Sequence, residues 1–240
     1  MSLRRIGLIA GMSFESSIVY YRLLNEAIRA ARGGLNSADL VMHSVNFAPI
    51  AVMQSEGRWD DAGQALANAA QGLEQAGAQA VLICTVTMHL VADAVAAAVD
   101  VPVIHVIDET AAALKHAGCA RPLLIATRYT MEQGFYQAHM ARHGVEVMVP
   151  DAPARAQVHA IIFDELCQGK VLDGSRAVLL AIIDVARAQG ADSVILGCTE
   201  IGLILDPDAL VLPGFDSAVV HVQAAARFAL GQARPALVEA

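Results

Sequence analysis

A cysteine and a threonine stand at matching places in two copies of one short pattern. Residues 77–85 (GAQAVLICT) align without gaps on residues 190–198 (GADSVILGC), which puts Thr85 and Cys198 at the same terminal position. In each copy a glycine suited to ending a helix precedes a short apolar run, and the run ends at a hydroxyl or a thiol. A thiol at the carboxyl end of a buried strand, just before a helix start, meets backbone amides and the positive end of a helix dipole, and both favour the thiolate. Cys198, in Gly197-Cys198-Thr199-Glu200, is therefore the candidate nucleophile or base. Thr85 is its counterpart, a hydroxyl able to donate a proton but a poor base near neutral pH.

Other side chains with chemistry to offer fall around these two. Ser13, Thr87, Thr130 and Thr199 can present hydroxyls to a substrate carboxylate, with helix-start amides completing an anion site, or they can cap helices. Gln54 is a lone amide after an apolar run, and Glu200 is expected in a first helical turn, complementing the dipole. Cys84 precedes Thr85 on a strand, so it faces the opposite side, toward the helix layer. Cys119 and Cys167 carry no comparable signal and read as packing thiols. His139 and His143 have the i, i+4 spacing of half a metal site, but no acidic third ligand accompanies them in a known pattern, so no metal is expected. His89, one turn beyond Thr85, reads equally as a proton relay or as a packing histidine. The only lysines are Lys115 and Lys170, neither at a strand end, which argues against the Schiff base that pyridoxal phosphate (PLP) needs. The Gly7 to Gly11 segment lacks the third glycine of a dinucleotide fingerprint. The reaction is thus expected to use side chains alone, with no cofactor.

These residues need elements to hold them. Short apolar runs alternate with longer Ala-rich stretches of helical period, the pattern of parallel sheets with helices on both faces. Strands are predicted at 5–10, 39–45, 80–84, 103–106, 123–126, 146–149, 193–196 and 211–214. Helix caps are predicted at Ser16 or Ser17, Asp108, Thr130 and Asp216, with helix stops at Gly33, Gly77, Gly118, Gly144 and Gly190. A second echo, Gly7-Leu8-Ile9-Ala10 against Leu123-Leu124-Ile125-Ala126, supports an internal duplication. The expected fold is α/β, with two pseudo-symmetric lobes, each a four-stranded parallel sheet flanked by helices. The first lobe takes 1–106 plus 216–240 and the second 107–215, with the active site in the cleft between them, since ligands bind beyond the carboxyl ends of parallel strands.

Composition narrows the partner. The 240 residues are 56% hydrophobic and 17% charged, enough apolar material for full cores. A net charge of -8 repels nucleic acid and anionic membrane surfaces alike, leaving a small molecule as the expected ligand. Four scattered cysteines without C-x-x-C spacing, the lack of a signal peptide and the lack of a long apolar stretch lead to the expectation of a soluble cytoplasmic protein.

Five segments in order, GMSFES (11–16), CTVTMH (84–89), TRYTM (127–131), FDEL (163–166) and GCTE (197–200), resemble the aspartate/glutamate/hydantoin racemase family. The resemblance implies a PLP-independent amino-acid racemase, a homodimer acting on an acidic amino acid. Two residues, usually cysteines, flank the α-carbon in that family, and the matching positions here are Cys198 and Thr85. It also implies that Thr87, Thr130 and Thr199 touch the ligand and that Met12 and Gln54 line the pocket. Two positions depart from the usual pattern: Thr85 stands where cysteine is common, and Val86 where asparagine contacts the substrate. Those departures leave as alternatives a binding protein on the racemase scaffold that no longer turns its ligand over, or a hydantoin racemase or related isomerase or decarboxylase.

Overall fold

The computed structural model describes residues 3–232, so residues 1, 2 and 233–240, at the ends of the expected first lobe, lie outside the described residues. The chain divides into two compact units, one running through His105 and resuming at His221, the other Val106–Val220.

The first unit contains β1 (Ile6–Ala10), α1 (Phe14–Arg32), β2 (Leu40–Ser44), α2 (Phe47–Glu56), α3 (Trp59–Gln75), β3 (Ala80–Ile83), a 3-10 turn at Thr87–Val91 and α4 (Ala92–Ala96). Its sheet is parallel in the order β2-β1-β3, and every residue of β1 and β3 is buried, as a sheet covered on both faces requires. Leu66, Ala70 and Leu73 of α3 pack with Ile9, Val81 and Ile83 in one core cluster.

The second unit contains α5 (Val106–His116), β4 (Pro122–Ile125), α6 (Arg128–Glu132), α7 (Phe135–Arg142), α8 (Ala152–Ala160), a π turn at Ile161–Glu165, a 3-10 turn at Leu166–Gln168 and α9 (Asp173–Ala188). Next come β5 (Ser193–Leu196), 3-10 turns at Thr199–Leu203 and Pro207–Ala209, β6 (Gly214–Asp216) and α10 (Ser217–Ala229), whose residues from His221 on belong to the first unit. Its sheet is parallel in the order β4-β5-β6.

Each sheet therefore has three strands rather than the four expected, and the reasons are local. Segment 103–106 is reduced to a single bridge, Val103 to Val81. Val81 donates to Pro102 O and accepts from Ile104 N, each at 2.9 Å. Pro102 has no N–H for the rung before, and Ile104 O, the acceptor for the rung after, takes His221 Nε2–H at 2.7 Å. Segment 146–149 is likewise reduced to Met148 bridged to Leu123, because Pro122 has no N–H for the preceding rung and Pro150 closes the segment. The last predicted strand shifts from 211–214 to Gly214–Asp216, with Val194 donating to Pro213 O at 2.9 Å where pairing begins.

Hydrogen bonds repeat along with the sequence. Ala78 donates to Leu73 O and Ala191 to Ala186 O, both at 3.0 Å, while Gln79 donates to Arg5 O at 2.8 Å and Asp192 to Arg121 O at 3.1 Å. Cys84 N donates to Ile9 O at 2.9 Å and the aligned Gly197 N to Ile125 O at 2.8 Å. Thr85 and Cys198 are thus each the first residue beyond the last rung of a central ladder. Capping differs by a few residues from expectation. Ser13 rather than Ser16 or Ser17 caps α1, Thr127 rather than Thr130 caps α6, and Asp108 lies inside the first turn of α5. Among the described residues, no helix is long and apolar enough to cross a membrane.

Candidate active-site residues

In the first unit the loop after β1 and the loop after β3 meet. Thr85, half-buried beyond the end of β3, donates its hydroxyl proton to Met12 O at 2.7 Å. Met12 and Ser13 are buried beside it, and Ser13 Oγ accepts from Ser16 N at 3.4 Å, so its hydroxyl serves the start of α1. Ser17 Oγ, which donates to Ser13 O at 2.9 Å and accepts from Gly11 N at 2.7 Å, holds this loop from behind. Thr87 is buried in the 3-10 turn, and Gln54, buried on α2, donates from Nε2 to Met88 Sδ at 3.1 Å. Val86 is buried as well. Cys84 is buried, and burial pushes its thiol pKa far up, so it is an inert packing thiol.

Behind Thr85 lies a buried histidine cluster that gives His89 its place. His89 Nδ1–H donates to Thr85 O at 3.0 Å, and its ring meets His105 edge-on at a centroid distance of 4.7 Å and His221 at 5.7 Å. His221 Nε2 must carry the proton it gives to Ile104 O, so its Nδ1 accepts from Tyr20 OH at 2.9 Å. Burial, then the neighbouring imidazoles, holds His89 well below the ordinary histidine range. His221 is pulled down to about 4, first by burial and then by His105, against the bond to Ile104. Both rings are neutral near pH 7.

In the second unit Cys198 follows β5 in extended conformation (φ -142°, ψ 132°) and opens only a five-residue 3-10 turn. Its thiol donates to Glu200 Oε2 at 2.9 Å, and the Thr199 hydroxyl donates to the same oxygen at 2.8 Å. Cys167 lies 3.7 Å from Glu200 Oε1. Cys198, Thr199 and Glu200 are all buried. The expectation of a thiol tuned toward thiolate by a helix dipole is corrected here. Burial first, and then the Glu200 charge, pushes the Cys198 thiol well above its ordinary pKa, because a short 3-10 turn cannot outweigh a carboxylate at hydrogen-bond distance. Glu200 does lie in the first turn of that 3-10 segment, but it is buried and its carboxylate accepts from Cys198, Thr199 and Cys167. Its partnership with Cys198 was missed because the 3-10 geometry, which turns the side chain back toward the thiol, leaves no trace in the apolar pattern. Thr130 is buried on α6, its Oγ1 3.1 Å from Thr127 Oγ1 at the cap.

Gly197 lets β5 end this close to β4. A Cβ there would lie 2.6 Å from Leu124 Cδ1, 3.0 Å from Ala126 Cβ and 3.3 Å from Ile125 O. Gly197→Ala is expected to cost about 1–3 kcal/mol through overpacking and to displace Cys198. Urea unfolding together with thiol-alkylation rates reads both effects, and unchanged values in both would refute the packing argument.

The chain matches the Asp/Glu/Hydantoin racemase family over residues 9–225. A candidate Asp/Glu racemase from Yersinia pestis is 44% identical, covering 95% of this chain and 100% of that one, with a TM-score of 0.88. An aspartate racemase homologue from Pyrococcus horikoshii OT3 is 32% identical over 95% and 100% of the two chains, with a TM-score of 0.84. The broad specificity amino-acid racemase RacX of Bacillus subtilis (strain 168) is 23% identical over 88% of this chain and 92% of its own length. With the order of its motifs and a match that spans nearly all of its length, the chain belongs to the Asp/Glu/hydantoin racemase family.

Proposed function

We propose that the protein is a cofactor-independent amino-acid racemase of the aspartate/glutamate type, in which Cys198 and Thr85 serve opposite faces of the substrate α-carbon. The observation that carries this reading is the buried Cys198 thiol poised on Glu200 at the end of β5. The thiol at rest is protonated, so the base forms by passing that proton to Glu200 Oε2 once the substrate ammonium brings positive charge near the sulfur. The thiolate then takes the α-proton, and the carbanion receives a different proton on its other face. Thr85 supplies that proton directly or through a water it holds, and its hydroxyl must first leave Met12 O. Donors at the two loops, Ser13 and Thr87 in one unit and Thr130 and Thr199 in the other, are proposed to hold the carboxylate, with Met12 and Gln54 lining the pocket. Exclusion of water would strengthen every such contact. The likeness to RacX supports an amino acid as substrate, and the family supports an acidic one.

Burial of Val86 favours a second reading, a protein that still binds an amino acid or related carboxylate without inverting it, since this side chain offers the ligand no hydrogen bond. Proton NMR in D2O across a panel of amino acids separates the two. Deuterium appearing at the α-carbon, without a change of compound, is the expected result, and binding without exchange would leave only the second reading. Direction adds a finer expectation. Two enantiomers have equal free energy in water, so kcat/KM must be equal in both directions whatever residue stands at 85. Single-turnover washout, however, should be faster from the enantiomer whose α-hydrogen faces Cys198, and Thr85→Cys should narrow the difference. Equal washout in the parent protein would remove Thr85 from the second face.

A further inference from the structure

Away from the proposed chemistry, α5 and α7 of the second unit bring one carboxylate to two imidazoles. His139 Nε2–H and His143 Nε2–H, one turn apart on α7, donate to the same Asp108 Oδ1 of α5, at 2.6 and 2.8 Å. Their rings are nearly parallel, 25° apart with centroids 5.8 Å from each other. Side-chain exposures of 23% for His139, 31% for His143 and 34% for Asp108 leave the group open to solvent yet held in place. The i, i+4 histidines lack an acidic third ligand in the sequence around them, but the fold brings one from 31 residues away.

We propose that Asp108, His139 and His143 form a binding site for a borderline divalent transition metal such as zinc, completed by water. Two imidazoles and one carboxylate are a donor set for Zn2+, with Ni2+ and Cu2+ as competitors, and they are a poor set for Mg2+ or Ca2+, which take oxygen ligands. Metal–ligand bonds of about 2.0–2.2 Å in a tetrahedral site place neighbouring ligand atoms about 3.3 Å apart. The nitrogen–oxygen pairs must therefore open from their hydrogen-bonded separations by roughly half an ångström or more, while the two histidine nitrogens, more than 4.8 Å apart, must close by roughly 1.5 Å. Rotation of the partly exposed imidazoles about their side-chain torsions brings them together. Binding exchanges two N–H···O bonds for metal bonds at the same ring nitrogens. The metal is a clamp between two helices of one unit and has no part in the α-proton transfer, so racemisation proceeds in the presence of a chelator.

Titration of the metal-free protein with Zn2+ against a chromophoric chelator is the test. One equivalent should bind, and a hundredfold excess over the dissociation constant should raise Tm by about 5–10 °C. Asp108→Asn and His143→Gln should each weaken binding at least about tenfold, and His139→Gln/His143→Gln should abolish it. Four thiols in the chain are the competing ligands. Co2+ loading distinguishes them, because the proposed site gives visible bands without the intense near-ultraviolet sulfur-to-metal charge transfer. Failure to bind Zn2+, undiminished binding by the double variant, or a thiolate spectrum would overturn the proposal.

Discussion

Cys198→Ala is expected to abolish exchange of the substrate α-hydrogen with D2O, a fall of at least the roughly 100- to 10,000-fold that a positioned acid–base group supplies. The fold should survive, because alanine removes one sulfur from a buried position without leaving a charge unpaired. Loss of the Cys198 hydrogen bond still leaves Glu200 its bond from Thr199. The sharper variant is Glu200→Gln. It keeps an oxygen that can accept from the thiol but removes the negative charge that raises the thiol pKa. Two readouts should then move apart: the pH profile of thiol alkylation shifts to lower pH, while kcat falls because the amide cannot take the thiol proton. A merely structural Glu200 would change stability and leave the alkylation profile in place. Retention of full exchange by Cys198→Ala would remove the core of the proposed mechanism.

Acid should destabilise the first unit well before carboxylates are titrated. His221 has a folded pKa of about 4 against 6.5 for the ordinary imidazole, so between those values the unfolded chain binds a proton that the folded chain refuses. Stability is therefore fully present above about pH 6.5, declines as pH falls, and loses no more from this group below about pH 4. The loss from His221 alone is of the order of 3 kcal/mol, and His89, displaced in the same direction, adds to it. Its size matters because whole-domain stabilities are about 5–15 kcal/mol. Urea unfolding across this pH window measures it directly. His221→Gln should flatten the slope by close to one proton, about 1.4 kcal/mol per pH unit. Equal slopes in the variant and the parent would show that the histidine is not the acid-sensitive group.

How much of this was legible follows from the kind of signal each feature leaves. The gapless repeat ending at Thr85 and Cys198 located both ladder ends to the residue, because a buried parallel strand writes its whole length as an apolar run. The outer segments 103–106 and 146–149 look equally apolar, yet each pairs through one residue. Their shortening depends on Pro102 and Pro122 lacking N–H groups and on Ile104 O being claimed by His221, which is 117 residues away. Periodicity cannot reveal a competition of that range. The same holds at the site. Ser13 and Thr85 were visible as residue types, but the commitment of the Thr85 hydroxyl to Met12 O is a tertiary fact, as is the meeting of Cys198 with Glu200. The acidic partner of His139 and His143 was invisible for the same reason. Helix caps were misplaced by about three residues at Ser13 and Thr127, where several neighbouring hydroxyls compete for one role.

The single-bridge segments at Val103 and Met148 have a consequence for how copies of the chain treat one another. An open sheet edge with a long run of unsatisfied N–H and C=O groups is a template on which a strand from another molecule can polymerise. Here each sheet ends on that side in one rung beside a proline, Pro102 in one case and Pro150 in the other. A foreign strand would find too few donors in line to zip onto, and the abbreviated edge works as a guard against runaway intermolecular pairing.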